Sequence, residues 1–210
     1  MVEMEKNKNH WGEIYKSKSP GEVSWYQPRL ATSLGLILES GIAQSAEIID
    51  IGGGASTLAD DLFKRGYEHI TVLDISSEAI QRSKIRLGQQ AKKISWVEKD
   101  IFKADFSEKS FDLWHDCALF HFLTQSHDRW NYVALANKVL KPGGCLIVAT
   151  FGPGGPTQCS GLDTVRYSPE SLHQEFDGNF ELKKSLIEKH HTPGGKPQEF
   201  VYCLFRKILS

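Results

Sequence analysis

Short apolar runs alternate with longer amphipathic stretches through most of this chain, and the alternation sets the expected elements. Runs at 47–51, 70–74, 94–97, 111–114 and 145–151 have strand length, and the stretches 57–65, 78–87 and 129–140 between them have helical spacing. Gly66 closes the first of these helices, and Ser76 or Ser77 is placed to cap the second. Upstream, Pro28 suits the first turn of a helix that carries Leu30, Leu34, Leu36, Ile37 and Leu38 and ends at Gly41. Residues 1–9 are expected to be disordered, with a short helix starting over 10–15 and a loop over 16–22. Strand–helix alternation of this kind predicts an α/β fold, a parallel sheet with helices on both faces. The end of the chain differs. A helix over 169–175, capped by Ser168, precedes strands over 180–188 and 199–206. Their connection, with Gly194-Gly195, is too short for a crossover helix, so these two strands pair antiparallel.

The richest local signal is 48–58, Ile-Ile-Asp-Ile-Gly-Gly-Gly-Ala-Ser-Thr-Leu, followed by Val72-Leu73-Asp74. Gly52, Gly53 and Gly54 make a tight strand–helix turn that a ligand can approach closely. Asp74, about twenty residues on, is placed to accept hydrogen bonds from a ribose diol. Together they indicate an adenosine-containing cofactor. Thr57 stands where the dinucleotide pattern has its third glycine, and Asp50 is a poor neighbour for a pyrophosphate. A cofactor that carries an ammonium group suits Asp50 better.

At these residues the chain resembles the class I S-adenosylmethionine-dependent methyltransferases, over about 10–206. Asp50-Ile51-Gly52-Gly53-Gly54 matches the first motif, Asp74 the ribose-binding acid and Asp100-Ile101 the block that brackets the adenine. Residues 111–116 match the fourth strand and its exit, and Leu140-Lys141-Pro142-Gly143-Gly144 the turn before the fifth. The resemblance implies a Rossmann-like, mostly parallel seven-stranded sheet of order 3-2-1-4-5-7-6 with strand 7 antiparallel. It implies one methyltransferase domain over 1–210, with 10–40 as an N-terminal lid and helix and 44–206 as the core. It also implies that Asp100 binds the adenine amino group, the Ile101 amide meets the ring edge, Ile75 covers one adenine face, and Trp114 lies beside the methionyl part. Trp25 and Tyr26 are the preferred lid pair over the cofactor, with Trp11 and Tyr15 as further aromatic candidates. Within the class, Glu22 to Gln27 and the ending Thr192-Pro193-Gly194-Gly195 resemble small bacterial members, some of them similar to protein-lysine methyltransferases.

Methyl transfer from an activated sulfonium needs alignment and exclusion of water more than it needs a nucleophile or a metal. If the acceptor is an amine, a base is useful, and Asp116, His115 and His121 are the expected catalytic candidates. No compact ligand spacing supports a metal site among the histidines. The glycine- and proline-rich segment 152–161 leaves strand five beside the expected transfer centre, and Tyr167 and His190-His191 are further candidates to face the acceptor.

Composition narrows the setting. The 210 residues suit one packed domain, and a net charge of −1 gives no reason to expect nucleic acid. Four dispersed cysteines without a CxxC pair fit a reducing compartment, and the polar N-terminus does not read as a signal peptide. A cytoplasmic enzyme with no membrane span is expected, acting on a small-molecule or protein acceptor, such as a lysine. A non-catalytic S-adenosylmethionine-binding protein is the alternative, and an NAD-dependent oxidoreductase is disfavoured by Asp50 and Thr57.

Overall fold

In the computed structural model, which describes the backbone of residues 2–209 and the side chains of all of these but 2–7 and 20, six helices flank one large sheet. The helices are α1 (Val2–Ser17), α2 (Ala31–Glu39), α3 (Leu58–Lys64), α4 (Ser77–Leu87), α5 (Ser126–Val139) and α6 (Pro169–Phe176). The sheet is built from β1 (Glu47–Ile51), β2 (His69–Asp74), β3 (Ser95–Glu98), β4 (Phe111–Cys117) and β5 (Leu140–Phe151). A two-residue hairpin, β6 (Gln158–Cys159) with β7 (Leu162–Asp163), precedes its last two strands, β8 (Phe180–His191) and β9 (Pro197–Lys207). The order across the sheet is β3-β2-β1-β4-β5-β9-β8. Counting only its seven members, this is the expected 3-2-1-4-5-7-6. The first five strands run parallel, and β9 is antiparallel to both β5 and β8.

Each central strand buries both faces, so successive residues feed two different cores. Ile48, Val72, Leu113 and Ile147 pack with Leu34, Ile37, Leu58 and Leu62 on the side of α2 and α3. Ile49, Trp114, Leu146 and Val148 pack with Tyr132, Val133, Leu172 and Phe176 on the side of α5 and α6. Ser76 caps α4 by accepting from the Ala79 amide, and Ser168 with Ser171 forms a capping box at α6, as the sequence suggested.

Three expectations change. α1 is longer than the short helix expected over 10–15 and takes in residues 16–17 of the expected loop; Met1 lies outside the described residues. β4 runs three residues past Trp114, because the polar pair His115-Asp116 is buried with partners instead of ending the strand. The Lys141–Gly144 turn does not precede β5 but loops out within it, between the pairs Phe111–Leu140 and Leu113–Cys145. The carboxyl ends of β1, β2, β4 and β5 and the amino end of antiparallel β9 therefore meet along one edge, where α/β sheets hold ligands.

Candidate active site

The glycine turn leaves β1 under tight steric limits. Gly52 has φ +68° and donates its amide to the Leu73 carbonyl at 2.8 Å. A Cβ on Gly53 would stand 2.1 Å from Asp50 Oδ2, and one on Gly54 would stand 2.5 Å from Asp74 Oδ2. Gly54 does not line the cleft. Its amide donates to Asp74 Oδ2 at 2.9 Å and fixes that carboxylate, which also accepts from the Ser76 amide at 2.8 Å.

Two cavities, of about 200 and 90 Å³, adjoin along this edge and share Tyr15, Trp25, Gly52, Cys117, Ala118 and Phe200. They form one elongated cleft. Asp74, Ile75, Asp100 and Ile101 line the larger cavity, with Lys99, Phe102 and Leu119. Asp100 accepts from the Phe102 amide at 2.8 Å at the start of a 3-10 turn, which holds the strand exit open toward the cavity. Burial, helped by the nearby Asp50 charge, raises the Asp74 carboxyl to about 6 in spite of its amide donors.

Asp50, Gly52, Gly53, His115 and Tyr26 line the smaller cavity. Asp50 Oδ1 is 2.7 Å from His115 Nδ1, and His115 Nε2 is 2.8 Å from Ser33 Oγ. Asp50 Oδ2 is buried and has no partner among the described residues. An orphaned carboxylate oxygen beside a cavity calls for a cation or a donor. This donor set fits an adenosine ligand that carries an ammonium group.

The exit of β4 is not as expected. Side chains alternate along the strand, so Trp114 and Asp116 face α5 while His115 and Cys117 face α2 and the cleft. Trp114 donates its indole N–H to the Tyr132 hydroxyl at 2.8 Å in the core and does not reach the cofactor cleft. Asp116 is fully buried and accepts from Tyr132 Oη at 2.6 Å and from the amides of Leu119 and Phe120. It is a structural cap, away from both cavities. His115 lines the cleft, but both its ring nitrogens are engaged, so it orients Asp50 and is not free to act as a base. Ala118, at φ +74°, turns the chain beside Gly52.

His121 does line the larger cavity, and it is neutral: burial lowers its pKa to about 3. Around it stand Phe122, Phe151, Cys159, Phe200 and the N-terminal aromatics. Trp11 meets Trp25 and Phe122 edge to face, and Trp25 meets Tyr15 likewise. Trp25 lines both cavities. Tyr167 packs on Phe120 in the core and lines neither cavity, and His190 Nε2 lies 2.9 Å from the Ser24 carbonyl, tying the β8–β9 hairpin to the segment before α2. Cys117, Phe151 and Phe200 were not anticipated. Their signal was position alone, each lying where a strand meets the cleft edge.

A family profile described as a methyltransferase domain matches residues 48–144, the span from the glycine turn to the start of the β5 ladder. Residues 48–144 belong to that family, and the chain is an S-adenosylmethionine-dependent methyltransferase. Among curated relatives, the methyltransferase is 24% identical to human EEF1A lysine methyltransferase 2 over 216 residues, covering 96% of this chain and 86% of that protein. It is 26% identical over 105 residues to the mouse eEF1A lysine and N-terminal methyltransferase, covering half of this chain and only 15% of that longer protein. Among solved structures, the N-methyltransferase NodS from Bradyrhizobium japonicum, in complex with S-adenosyl-L-homocysteine, superposes with a TM-score of 0.68 at 18% identity, covering 96% of this chain and 98% of that one. No helix among the described residues is long and apolar enough to cross a membrane.

Proposed function

We propose that this methyltransferase transfers the methyl group of S-adenosylmethionine to an amine nitrogen. In this reading Asp74 takes the ribose hydroxyls, Asp100 and the Ile101 amide take the adenine with Ile75 on one face, and the free Oδ2 of Asp50 takes the ammonium. Trp25 and Tyr26 cover the cofactor, in an N-terminal lid that runs to about residue 40. The bound sulfonium supplies an activated methyl group and leaves as a neutral thioether.

The acceptor end of the cleft carries the amine reading. Its walls are Trp11, Trp25, Phe122, Phe151 and Phe200, with a neutral His121 and no carboxylate. Asp74 and Asp100 stand at the adenosine end. Desolvation there favours an amine in its neutral, nucleophilic form. The aromatic faces favour the larger and less hydrated methylammonium product. The acceptor's proton leaves to solvent through the open cleft. Transfer of a labelled methyl group to a cell extract, with the labelled atom identified after hydrolysis, tests the reading; label on oxygen, sulfur or carbon would overturn it. Tight binding of S-adenosylhomocysteine without any transfer would favour the non-catalytic alternative.

A narrower reading, a protein lysine as acceptor, is favoured by the similarity to EEF1A lysine methyltransferase 2 along nearly the whole chain. Recovery of Nε-methyl-lysine from the protein fraction would establish it.

A further inference from the structure

The acceptor end contains one polar ring whose hydrogen-bonding capacity is half used. The Phe151 amide donates to His121 Nδ1 at 3.2 Å, so Nδ1 carries no proton and the neutral ring bears its hydrogen on Nε2. The ring is fully buried and stacks on Phe151 with centroids 4.3 Å apart and planes 15° apart, which prevents it from turning. Its Nε2 has no partner among the described residues, although the ring lines the cavity. A buried N–H left unpaired is costly, and an oxygen of a bound molecule would remove that cost.

The other titratable groups that line this end among the described residues, the Tyr15 hydroxyl and the thiols of Cys117 and Cys159, are pushed up by burial and hold their own protons. Asp116 is spent on Tyr132 and two amides, and both nitrogens of His115 are engaged. Glu188 stands behind Tyr202 and does not line the cleft. An acceptor here has to arrive with its lone pair free. At pH 7.5 about a third of an α-amine with pKa near 7.8 is neutral, against roughly 0.1% of a lysine ε-amine.

We propose that His121 donates its Nε2–H to an oxygen of the methyl acceptor, and that the acceptor is an α-amino carbonyl compound, whose amine lies next to an uncharged carbonyl oxygen. An amino acid amide or ester and the N-terminus of a peptide share this chemistry, because their uncharged carbonyl leaves the α-amine at the low pKa. The inference rests on the amine reading above and narrows it. As the N–C bond forms and the S–C bond breaks, the new ammonium gives its proton to water, while the donor holds the neighbouring oxygen and so aligns the nitrogen.

The test has two parts. In the protein loaded with S-adenosylhomocysteine, 15N-edited NMR of His121 should show hydrogen on Nε2 only, with no titration above pH 5; a proton on Nδ1, or titration near neutrality, overturns the inference without reference to any substrate. Second, methyl label is transferred to small-molecule and protein fractions of an extract. Label on an α-amine, of an amino acid amide or ester in the first fraction or of an N-terminus in the second, supports the proposal and separates the two sources. With that fraction as substrate, His121→Phe keeps the aromatic stack and should lower kcat/KM at least tenfold with the KM for S-adenosylmethionine unchanged, and His121→Asn should recover part of the loss. Full activity of the Phe variant, or label on lysine, overturns this inference and leaves the amine reading standing. Label on no nitrogen at all fails both.

Discussion

Asp50 and His115 are register partners on adjacent parallel strands, and the buried contact between them, 2.7 Å from Oδ1 to Nδ1, decides which carboxylate oxygen faces the cleft. His115 is itself anchored by Ser33 of α2, so the arrangement runs from a helix through two strands to the wall of the smaller cavity. Oδ2 is left over, next to a glycine turn that has no room for a Cβ. A charge held this way is pre-organised for a cationic group, since the side chain loses little freedom when the ligand arrives.

Asp50→Asn removes that charge and keeps the shape. Affinity for S-adenosylhomocysteine should fall about 10- to 100-fold, the equivalent of about 1.5–3 kcal/mol for a hydrogen bond to a charged group. Titration calorimetry at pH 7.5 measures it. An unchanged Kd would show that the ammonium does not meet Asp50.

Asp116→Asn should act on stability. The carboxylate accepts from a hydroxyl and two amides and is fully buried, so an amide NH2 in its place leaves the Tyr132 hydroxyl without an acceptor. A loss of about 1–3 kcal/mol is expected, with affinity for S-adenosylhomocysteine nearly unchanged. Denaturant unfolding beside calorimetry separates the two effects. A variant with wild-type stability and lost turnover would return Asp116 to the catalytic machinery.

These two aspartates show what the sequence could and could not reveal. Asp50 was legible because its chemistry is local: it sits two residues before a glycine turn, and the turn fixes where it points. The alternation of runs likewise exposed the parallel sheet, the hairpin and the caps at Ser76 and Ser168, while the strand order came from the family resemblance. Asp116 and Trp114 were misplaced because the polar pair looked like a strand end. Only the tertiary partners Tyr132 and Ser33 make it possible to bury 115–116 inside a strand. Once β4 continues to Cys117, the two-residue period sends Trp114 and Asp116 to the far face. His121, expected as a catalytic candidate, lines the larger cavity. The donor role proposed for it depends on the Phe151 amide, thirty residues away in sequence, which no local pattern shows.

Glycine substitutions distinguish steric demand from simple flexibility. In Gly53→Ala the new Cβ would fall 2.1 Å from Asp50 Oδ2, so the carboxylate must move and cofactor binding should be lost. Gly54→Ala would also meet the Ala79 Cβ at 2.7 Å, inside the packed start of α4, and should destabilise the fold by about 1–3 kcal/mol as well. Gly35, within α2, has nothing within 4 Å of its would-be Cβ. Gly35→Ala should therefore stabilise the protein by up to about 1 kcal/mol through helix propensity, with normal binding. Thermal melts with and without S-adenosylhomocysteine rank the three. Ligand-dependent stabilisation of Gly53→Ala equal to that of the wild type would contradict the crowding argument.

Asp74 links cofactor affinity to pH. Burial raises its carboxyl to about 6, from an ordinary 3.8, and burial raises Asp116 to about 6 as well. In the free protein both groups therefore favour folding most when protonated. Their contribution is complete below about pH 3.8 and is lost as pH rises through about 6. Cofactor binding runs the other way, because ribose hydroxyls donate best to an ionised carboxylate, so the ligand draws the Asp74 pKa back down and releases a proton near pH 6. The Kd for S-adenosylhomocysteine should be flat above about pH 7 and rise by up to tenfold per unit below the free-protein pKa of about 6, where these two acids still support the fold. In Asp74→Asn the affinity should be lower throughout and should lose this dependence. Calorimetry from pH 8 to 5 in buffers of different ionisation enthalpy reads both the Kd and the released proton, and a wild-type Kd that is the same at both ends would remove Asp74 from the ribose site.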